Sequence, residues 1–430
     1  MNELKGDLPE GFKMTELGPL PEEWEVVKLG DVAEVSSGGS APQGDEYFNG
    51  SKPFVRVSHI DNEDYTIKRY DLISDKAIQD YRLKLFPKGT IVFPKSGATI
   101  YLEKRAMLPI DAYVVSHLCT VLSKREDLSQ CFLFYVLRNL KFAKEKADGY
   151  PTLNISEIKQ ILIPLPPLPE QRKIAAVLSA VQEAKEKTEV VINAARDLKK
   201  SMMSYLFTYG PVSLPEAENV LLKETEVGMI PEEWEVVKLG DVAEVSSGGS
   251  APQGDEYFNG SKPFVRVSHI DNEDYTIKRY DLISDKAIQD YRLKLFPKGT
   301  IVFPKSGATI YLEKRAMLPI DAYVVSHLCT VLSKREDLSQ CFLFYVLRNL
   351  KFAKEKADGY PTLNISEIKQ ILIPLPPLPV QQKIASILSA IDQKIEAEED
   401  KKKALEDLFK TLLHNLMTAK IRVNNLEVGA

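Results

Sequence analysis

The stretch IPLPPLPEQRKIAAVLSAV, residues 163–181, recurs as IPLPPLPVQQKIASILSAI at residues 373–391 and decides how this chain folds. Four prolines within seven residues exclude a continuous helix there and favour extended backbone, because proline fixes φ and lacks an N–H donor. The last of them, Pro169, is compatible with the first turn of a helix, where that donor is not needed. The stretch therefore predicts an extended entrance to a long helix, built twice.

The sequence upstream of this stretch is repeated as well. Residues 21–169 match residues 231–379 at every position, with an offset of 210. A chain of 430 residues is long enough for two or more domains. We predict one domain, here called a head, that is used twice. The predicted segments are an N-terminal extension (1–20), the first head (21–162), a proline junction with the first long helix (163–210), a linker (211–230), the second head (231–372), a proline junction with the second long helix (373–421) and a C-terminal tail (422–430).

Each head combines strand signals with helix signals. Short β-branched runs predict strands within residues 24–43, 52–60, 88–102 and 112–122, the third run as two strands joined by a Lys-Ser-Gly turn. Capping-box spacing, at Asp127 with Gln130 and at Asn154 with Glu157, predicts two helix starts. The predicted fold class is α+β, with a twisted sheet or partly closed barrel and attached helices in each head.

The segments after the prolines carry the a/d pattern of a coiled coil. We predict that the two long helices pair antiparallel within the chain and relate the heads by an approximate two-fold axis. A homodimer of coiled coils between chains is the alternative. The apolar positions of the first helix are Ile174, Val177, Val181, Ala184, Thr188, Val191, Ala195, Leu198, Met202 and Tyr205, and those of the second are Ile384, Ile387, Ile391, Leu405, Leu408 and Leu412.

Composition excludes several classes of function. No apolar run approaches the roughly 20 residues that span a bilayer, and nothing resembles a secretory signal, so we expect a cytoplasmic protein without a membrane role. The cysteines, Cys119, Cys131, Cys329 and Cys341, lack zinc or redox spacing and are predicted to be reduced and structural. His59 and His117 lack metal-ligand spacing, and His117 is expected in the core. We therefore predict no metal and no cofactor.

Three segments together resemble a known family. They are GYPTLNISEIKQILIPLPPLPEQRKIAAVLS (149–179), SSGGSAPQ with YFNGSKPFVRVSHI (36–43 and 47–60) and FPKGTIVFPKSGATI (86–100). With the order head, helix, head, helix, they resemble the specificity (S) subunit of type I restriction-modification systems. The resemblance covers nearly the whole chain. It departs from the family pattern in one respect, since the two target recognition domains of that family usually differ.

The resemblance implies a non-catalytic subunit that reads double-stranded DNA. It also implies two modification (methyltransferase) subunits as partners, and restriction (endonuclease) subunits in the full complex. Independently, the sequence contains no Asn/Asp-Pro-Pro-aromatic motif, no GxGxxG loop and no GxxxxGK[ST] loop, so we predict no enzymatic activity of its own.

Charge alone would not indicate DNA binding. Residues 21–169 carry 19 Lys and Arg against 20 Asp and Glu, and the whole chain has a net charge of −5. Local groups at predicted strand ends and turns remain suitable for phosphate or base contacts. The candidate DNA-binding residues are Ser37, Gly38, Gly39, Ser40, Arg56, Ser58, His59, Lys95, Ser96, Thr99, Tyr101, Lys104, Arg105, Tyr150 and Thr152 in the first head, and Ser247, Gly248, Gly249, Ser250, Arg266, Ser268, His269, Lys305, Ser306, Thr309, Tyr311, Lys314, Arg315, Tyr360 and Thr362 in the second.

Some of these residues have a second interpretation. The Gly/Ser segment 36–40 either lets backbone N–H groups approach a phosphate or is a hairpin turn without a ligand. Tyr150 and Thr152 either contact DNA or dock the head on its helix. Each charged residue, taken singly, could also be an ordinary solvated side chain.

Two hypotheses for the whole chain follow. Identical readers on a two-fold frame predict a palindromic two-part DNA site, with the helices setting the length of an unread spacer. The alternative is a two-headed adaptor that presents identical domains to protein ligands.

Overall fold

The computed structural model describes residues 8–61, 65–142, 152–271, 275–351 and 362–423. The chain divides into two compact units. The first unit is Met1–Glu189 with Asp400–Ala430, and the second is Val190–Glu399. Each unit therefore contains one head and a part of each long helix.

The first unit begins with a hairpin, after which the first head alternates short strands and short helices. Its strands are β1 (Phe12–Thr15), β2 (Gly18–Pro21), β3 (Glu25–Lys28), β4 (Ala33–Ser37), β5 (Lys52–Val55), β6 (Asp71–Ile73), β7 (Leu85–Phe86), β8 (Ile91–Pro94), β9 (Ala106–Met107), β10 (Ala112–Val114), β11 (Leu118–Ser123) and β12 (Leu162–Leu165). Its α-helices are α1 (Leu29–Val32), α2 (Asp75–Asp80), α3 (Gln130–Asn139), α4 (Ile155–Lys159) and the start of α5 (Leu168–Tyr209), and its 3₁₀ helices are Asp45–Tyr47, Val57–His59 and Ala98–Leu102.

Within the described residues, the first head is built on two four-stranded sheets. One sheet has the order β4-β11-β8-β9 and is antiparallel throughout. The other has the order β6-β5-β10-β7, in which β5 and β10 run parallel. One apolar core packs the first sheet against α3 and the long helices, and a second core includes side chains of both sheets. The expectation of a mixed sheet domain with attached helices is confirmed.

The second unit has the same strands with the same pairing, and helix α6 precedes them. Its strands are β13 (Leu222–Thr225), β14 (Gly228–Pro231), β15 (Glu235–Lys238), β16 (Ala243–Ser247), β17 (Lys262–Val265), β18 (Asp281–Ile283), β19 (Leu295–Phe296), β20 (Ile301–Pro304), β21 (Ala316–Met317), β22 (Ala322–Val324), β23 (Leu328–Ser333) and β24 (Leu372–Leu375). Its helices are α6 (Leu214–Ala217), α7 (Leu239–Val242), α8 (Asp285–Tyr291), α9 (Gln340–Asn349), α10 (Ile365–Lys369) and the start of α11 (Leu378–Met417), with 3₁₀ helices at Asp255–Tyr257, Val267–His269 and Ala308–Leu312.

Two strand predictions are wrong in detail. The second strand expected within residues 88–102 is the 3₁₀ helix Ala98–Leu102, because Gly97 at φ +83° turns the chain out of the extended region. The strand expected over residues 52–60 ends at Val55 and continues as the 3₁₀ helix Val57–His59. Both differences create turns where the sequence suggested flat strands.

One of the two predicted helix caps is confirmed. Asn154 and Glu157 form a reciprocal capping box at the start of α4. Helix α3 is instead capped by Ser129, whose side chain accepts a hydrogen bond from the N–H of Phe132. Asp127 is occupied elsewhere, because both of its carboxylate oxygens accept hydrogen bonds from Arg125.

The proline stretch is extended, as predicted. Strand β12 pairs antiparallel with β3, and α5 follows after Pro166 and Pro167, with Pro169 in its first turn. The same arrangement joins β24 to β15 ahead of α11. Each head is therefore tied to its long helix by a strand pair that the prolines prevent from becoming helical.

The two long helices pair antiparallel within each unit. In the second unit, Lys199 forms an ion pair with Asp392 and Arg196 with Glu399, so the numbering rises on one helix as it falls on the other. In the first unit, Ile174 shares a core with Met417, while Glu189 pairs with Lys402. The apolar stripe of each helix is thus covered by the other helix of the same chain and by a head.

The predicted coiled-coil register is wrong at Val191 and Leu198 of α5, although Thr188 is buried as predicted. Val191 and Leu198 are 39% and 52% exposed, and the neighbouring Ile192 is buried. The buried positions Ile174, Leu178, Gln182, Lys185, Thr188 and Ile192 advance 18 residues in five steps. That spacing is 3.6 residues per step, the period of a straight α-helix, whereas a heptad pattern requires supercoiling to stay in register.

The remaining helix predictions are closer to the structure. Val181 is partly buried on α5, and Ile384 is fully buried on α11. Ile391, Leu405 and Leu412 are partly buried on α11. All of these side chains are at least partly buried, whereas those of Val191 and Leu198 are exposed.

An ion pair between the buried Glu170 and the partly buried Arg422 fastens the C-terminal segment to the first head. The indole N–H of Trp24 donates to Glu170 at 2.9 Å, and Arg422 donates to the other carboxylate oxygen of Glu170 at 2.8 Å. In the second unit, the position equivalent to Glu170 is Val380, which offers Trp234 no side-chain acceptor. Two identical tryptophans therefore have different partners.

We expect Trp24→Phe to destabilise the first unit by about 2 kcal/mol more than Trp234→Phe destabilises the second, since a hydrogen bond to a charged group contributes about 1.5–3 kcal/mol. Both substitutions remove the same volume from a buried site, so the cavity term is matched. Urea unfolding of the full chain, followed by circular dichroism, measures both effects, and the fluorescence of the remaining tryptophan identifies the transition of the unit that was not substituted. Equal losses would show that the Glu170 contact contributes nothing.

Within the described residues, no helix combines the length and the hydrophobicity that a membrane crossing requires. The cysteines are free, and Cys119 and Cys329 are buried as expected. Burial raises the pKa of the Cys119 thiol to about 12. Cys131 and Cys341 are exposed, which corrects the expectation that all four are structural.

Candidate nucleic-acid interface

One group of candidates lies on the turn between β5 and β6. The Nε–H of Arg56 donates to Asp71, and its guanidinium lies 5.0 Å from the ring centroid of Phe48. The Nδ1 atom of His59 accepts the backbone N–H of Arg56 at 3.0 Å, and its Nε2 lies 3.6 Å from Asp71. Ser58, on the same turn, is exposed. The Arg56 turn (residues 56–60) is thus held by two side-chain contacts to one carboxylate.

Burial lowers the pKa of His59, an effect that the Asp71 carboxylate only partly opposes. The imidazole is therefore neutral at neutral pH. Because Nδ1 accepts a hydrogen bond, the proton is on Nε2 and faces Asp71. The second head shows the same lowered pKa at His269. This histidine serves the turn as a neutral acceptor of the Arg56 N–H rather than as a cation for phosphate.

A second group lies on the segment between β8 and β9, here called the Tyr101 turn (residues 97–104). Thr99 donates its hydroxyl to the carbonyl of Ser96, and Tyr101 is 47% exposed. Lys104 ends the turn and is half-buried. In the second head, Lys314 Nζ donates to the carbonyl of Ile270 at 3.0 Å, which brings this turn against the turn that carries Arg266 and His269.

A third contact joins the start of the Tyr101 turn to the segment before α4. Ser96 forms a β-bridge with Thr152, and the N–H of Leu153 donates to the carbonyl of Lys95 at 2.8 Å. In the second head, Ser306 and Thr362 form the same bridge. The structure therefore brings Lys95, Ser96 and Thr152 together, and their role in DNA contact stays a prediction.

Two candidates cannot be placed. Tyr150 and Tyr360 lie outside the described residues. Their predicted role in DNA contact or in docking stays a prediction.

The Gly/Ser segment is neither a phosphate cradle nor a hairpin turn. The N–H of Gly38 donates to Leu118 O at 3.3 Å, and that of Gly39 donates to Val114 O at 2.8 Å. A Cβ on Gly38 would lie 1.9 Å from Val114 O. The glycines are therefore required for close contact between β4 and the end of β10, where the two sheets meet, and neither N–H is available for a phosphate. Of the flanking serines, Ser37 is half-buried and Ser40 is exposed.

The burial of Arg105 also contradicts the prediction that its side chain reaches DNA. Arg105 is 4% exposed, and its guanidinium donates to the backbone carbonyl and the carboxylate of Glu103 and to Leu140 O. Burial lowers the pKa of Arg105, while Glu103 opposes that shift. Arg315 is 2% exposed and has the equivalent partners. The neighbouring Lys104 suggested a surface pair, but Arg105 is buried and Lys104 is half-buried.

Sequence patterns missed the contacts of two positions in this region, His117 and Arg69. His117 is exposed rather than in the core, and its carbonyl accepts the N–H of Lys95. In the second head, the equivalent His327 forms a hydrogen bond with Ser306 at 2.8 Å. Arg69 donates to Ser58 O and pairs with Asp61. No local signal marks these residues, because each partner lies on a different strand or turn.

The candidate cations are largely balanced by acids. Arg56 contacts Asp71 and Arg69 contacts Asp61, so both cations have carboxylate partners before any ligand arrives. Among the described residues, no group of histidine, cysteine and acidic side chains has an arrangement that could hold a metal ion. The geometry offers exposed polar and aromatic groups on turns, suited to reading base edges more than to unspecific attraction of phosphate.

Comparisons with known proteins match this architecture. Among curated proteins, the specificity subunit of type I restriction enzyme MjaIX from Methanocaldococcus jannaschii is 30% identical over 96% of this chain and 97% of its own length. The EcoDI specificity subunit from Escherichia coli is 22% identical over 85% of this chain and 81% of its own length. Both relatives are matched over most of their length.

Solved structures show the same fold. A crystal structure of a type I restriction-modification system S subunit from M. genitalium has a TM-score of 0.60 at 17% identity, over 91% of this chain and 96% of that chain. A family model, the type I restriction modification DNA specificity domain, matches twice, at residues 21–194 and 231–407. This chain therefore belongs to the family of type I restriction-modification DNA specificity proteins.

Proposed function

We propose that this chain is the DNA-reading subunit of a type I restriction-modification complex, in which each head contacts one half of a two-part site in double-stranded DNA. The family match supports this role, because the model describes a DNA specificity domain and covers both heads. Two modification subunits and, in the full complex, restriction subunits supply the chemistry in this proposal. Such a subunit works where chromosomal DNA is, so we also propose a cytoplasmic location.

One observation carries the finer part of the proposal. The heads, residues 21–162 and 231–372, are identical at every position. Sequence is read by hydrogen bonds and apolar contacts to base edges, so identical side chains select identical bases. The proposed half-sites are therefore the same sequence. Their inverted order rests on the sequence-based expectation that antiparallel helices relate the heads by a two-fold axis, with the helices setting the spacer length.

The test is methylome sequencing of cells that express this chain with its modification subunit and lack other methyltransferases. We expect one methylated motif with two identical half-sites in inverted order, separated by a gap of fixed length. A motif with two unrelated halves would overturn the argument from identical heads. Absence of any motif that depends on this chain would overturn the DNA-reading role itself.

Matched variants in the two heads provide a control. Lys104→Ala in the first head and Lys314→Ala in the second alter the same side chain in two identical settings. Because the proposed site is symmetric, we expect both variants to change the recovered motif in the same way. Different changes would show that the heads read different sequences.

A further inference from the structure

The Tyr101 turn presents two large side chains to solvent. Tyr101 is 47% exposed and Leu102 is 51% exposed, and the copies in the second head have the same values. They are flanked by the polar Ser96 and the basic Lys104. Proteins use an aromatic ring beside an aliphatic side chain to contact thymine methyl groups or to enter between base steps, with neighbouring polar groups on the backbone.

The backbone of this turn is fixed at Glu103. This residue has φ +49°, a left-handed conformation that costs a non-glycine residue about 1–2 kcal/mol. Its backbone carbonyl and one carboxylate oxygen accept hydrogen bonds from Arg105. Its other carboxylate oxygen accepts the N–H of Phe142 at 2.9 Å. The conformation is therefore held from both sides.

Arg105 connects this turn to the interior of the head. Besides Glu103, its guanidinium donates to Leu140 O at 2.8 Å and lies 4.4 Å from the ring centroid of Phe142. The second head repeats the arrangement with Glu313 at φ +49° and Arg315 bonded to Leu350 O. The turn, a distant loop and the core are thus joined through one buried side chain.

Stability alone does not account for such a pair. Replacing a buried ion pair with apolar residues of similar volume is often neutral or stabilising, because both charges lose hydration on burial. What the pair provides is a single conformation for the four residues before Arg105. A rigid turn loses little freedom when it meets a ligand, which favours binding.

We propose that Arg105 and Glu103 are positioning residues for recognition, which hold Tyr101 and Leu102 in the conformation in which these two side chains enter a DNA groove. Arg315 and Glu313 do the same for Tyr311 and Leu312. This inference rests on the proposed function, since it assigns the part of each head that meets the bases. It gives the buried arginine a role through its neighbours instead of a direct contact.

The test uses the full chain assembled with its modification subunits and a library of randomised DNA duplexes. The first variant carries Glu103→Gly and Arg105→Met, with the same changes at Glu313 and Arg315. Glycine adopts positive φ freely and methionine fills the buried site, so we expect little change in thermal stability. We expect the affinity for the duplex that wild type enriches to fall tenfold or more, with binding to a scrambled duplex unchanged.

The control is Arg125→Met with Asp127→Asn, repeated at Arg335 and Asp337. It also removes one positive and one negative charge, from an exposed pair two residues apart. We expect this control to bind the enriched duplex as wild type does. Equal loss in the control and in the first variant would overturn the proposal, since the effect would then be unspecific.

A second variant, Tyr101→Ala with Leu102→Ala in both heads, keeps the proposal testable even where the first variant fails to fold, because both side chains are exposed. We expect the same loss of affinity, and no further loss when the two variants are combined. Additive losses, or wild-type binding by the alanine variant, would overturn the positioning role. A wild-type complex that enriches no duplex at all would instead count against the proposed function.

Discussion

Asp392→Gln is expected to destabilise the second unit by about 3 kcal/mol, the range observed when one partner of a buried ion pair is removed. Asp392 pairs with Lys199 and accepts a hydrogen bond from the hydroxyl of Tyr345 at 2.7 Å. The side chains of Lys199 and Asp392 are only 12% and 11% exposed. The substitution leaves the lysine ammonium without this carboxylate and weakens the bond to the tyrosine.

The first unit shows how the loss should be recovered. At the positions equivalent to Lys199 and Asp392 it has Phe409 and Gln182, both buried. The ring of Phe409 lies 6.0 Å from that of Tyr135 in the otherwise identical head. We therefore expect Lys199→Phe together with Asp392→Gln to bring stability back to within about 1 kcal/mol of wild type, because an apolar contact replaces the ion pair.

The two tryptophans make this measurement specific to one unit. The chain contains one tryptophan in each head, so a Trp24→Phe background leaves Trp234 as the only reporter. Urea unfolding of the full chain in this background gives the stability of the second unit. An unchanged midpoint for Asp392→Gln would show that the ion pair does not hold the head, and a double variant as unstable as the single one would show that the two contacts are not interchangeable.

Gly38→Ala is expected to destabilise the first head by about 3 kcal/mol, the upper part of the range for overpacking a buried site. The new Cβ would lie 1.9 Å from Val114 O and 2.5 Å from Val115 O, and both atoms belong to backbone that cannot move without breaking the contact between the two sheets. Ser116 donates to Gly39 O at 2.6 Å in the same contact. The turn that carries His117 should loosen with it.

Gly39→Ala is the matched control. Its Cβ would meet Leu83 Cδ2 at 2.6 Å, the end of a side chain that can change rotamer, so we expect a loss of about 1 kcal/mol. Unfolding is followed by Trp24 fluorescence in a Trp234→Phe background. Equal losses for the two variants would contradict the assignment of Gly38 to a backbone contact.

Much of the fold follows from local patterns. The extended proline stretch, the two long helices and the Asn154 cap each depend on residues within a few positions of one another, so they can be inferred from the chain in order. The repeat follows from comparing the sequence with itself. The positions of exposed groups on turns are harder to infer from the sequence. The 3₁₀ helix Ala98–Leu102 lies where the pattern favoured a strand, because one glycine with positive φ redirects the backbone.

The candidate site was predictable only as a set of turns. Arg105 and Lys104 are adjacent in sequence, yet Arg105 is buried against Glu103 and Leu140 while Lys104 is half-buried. Gly38 and Gly39 resemble a flexible loop, but their N–H groups are bonded to β10 and to Leu118. Burial of a side chain depends on partners far along the chain, which periodicity does not report.

By itself, the sequence determined that this protein has two copies of one head, each followed by a proline stretch and a long helix. It also determined that both copies belong to a DNA specificity family. The tertiary structure decided how each copy is held. Tyr135 shares a hydrogen bond with Ser179 in the first unit, whereas the identical Tyr345 donates to Asp392 in the second. The physical reason is that a head's own sequence sets its internal packing, while the helix residues placed against it by folding set the energy of its attachment.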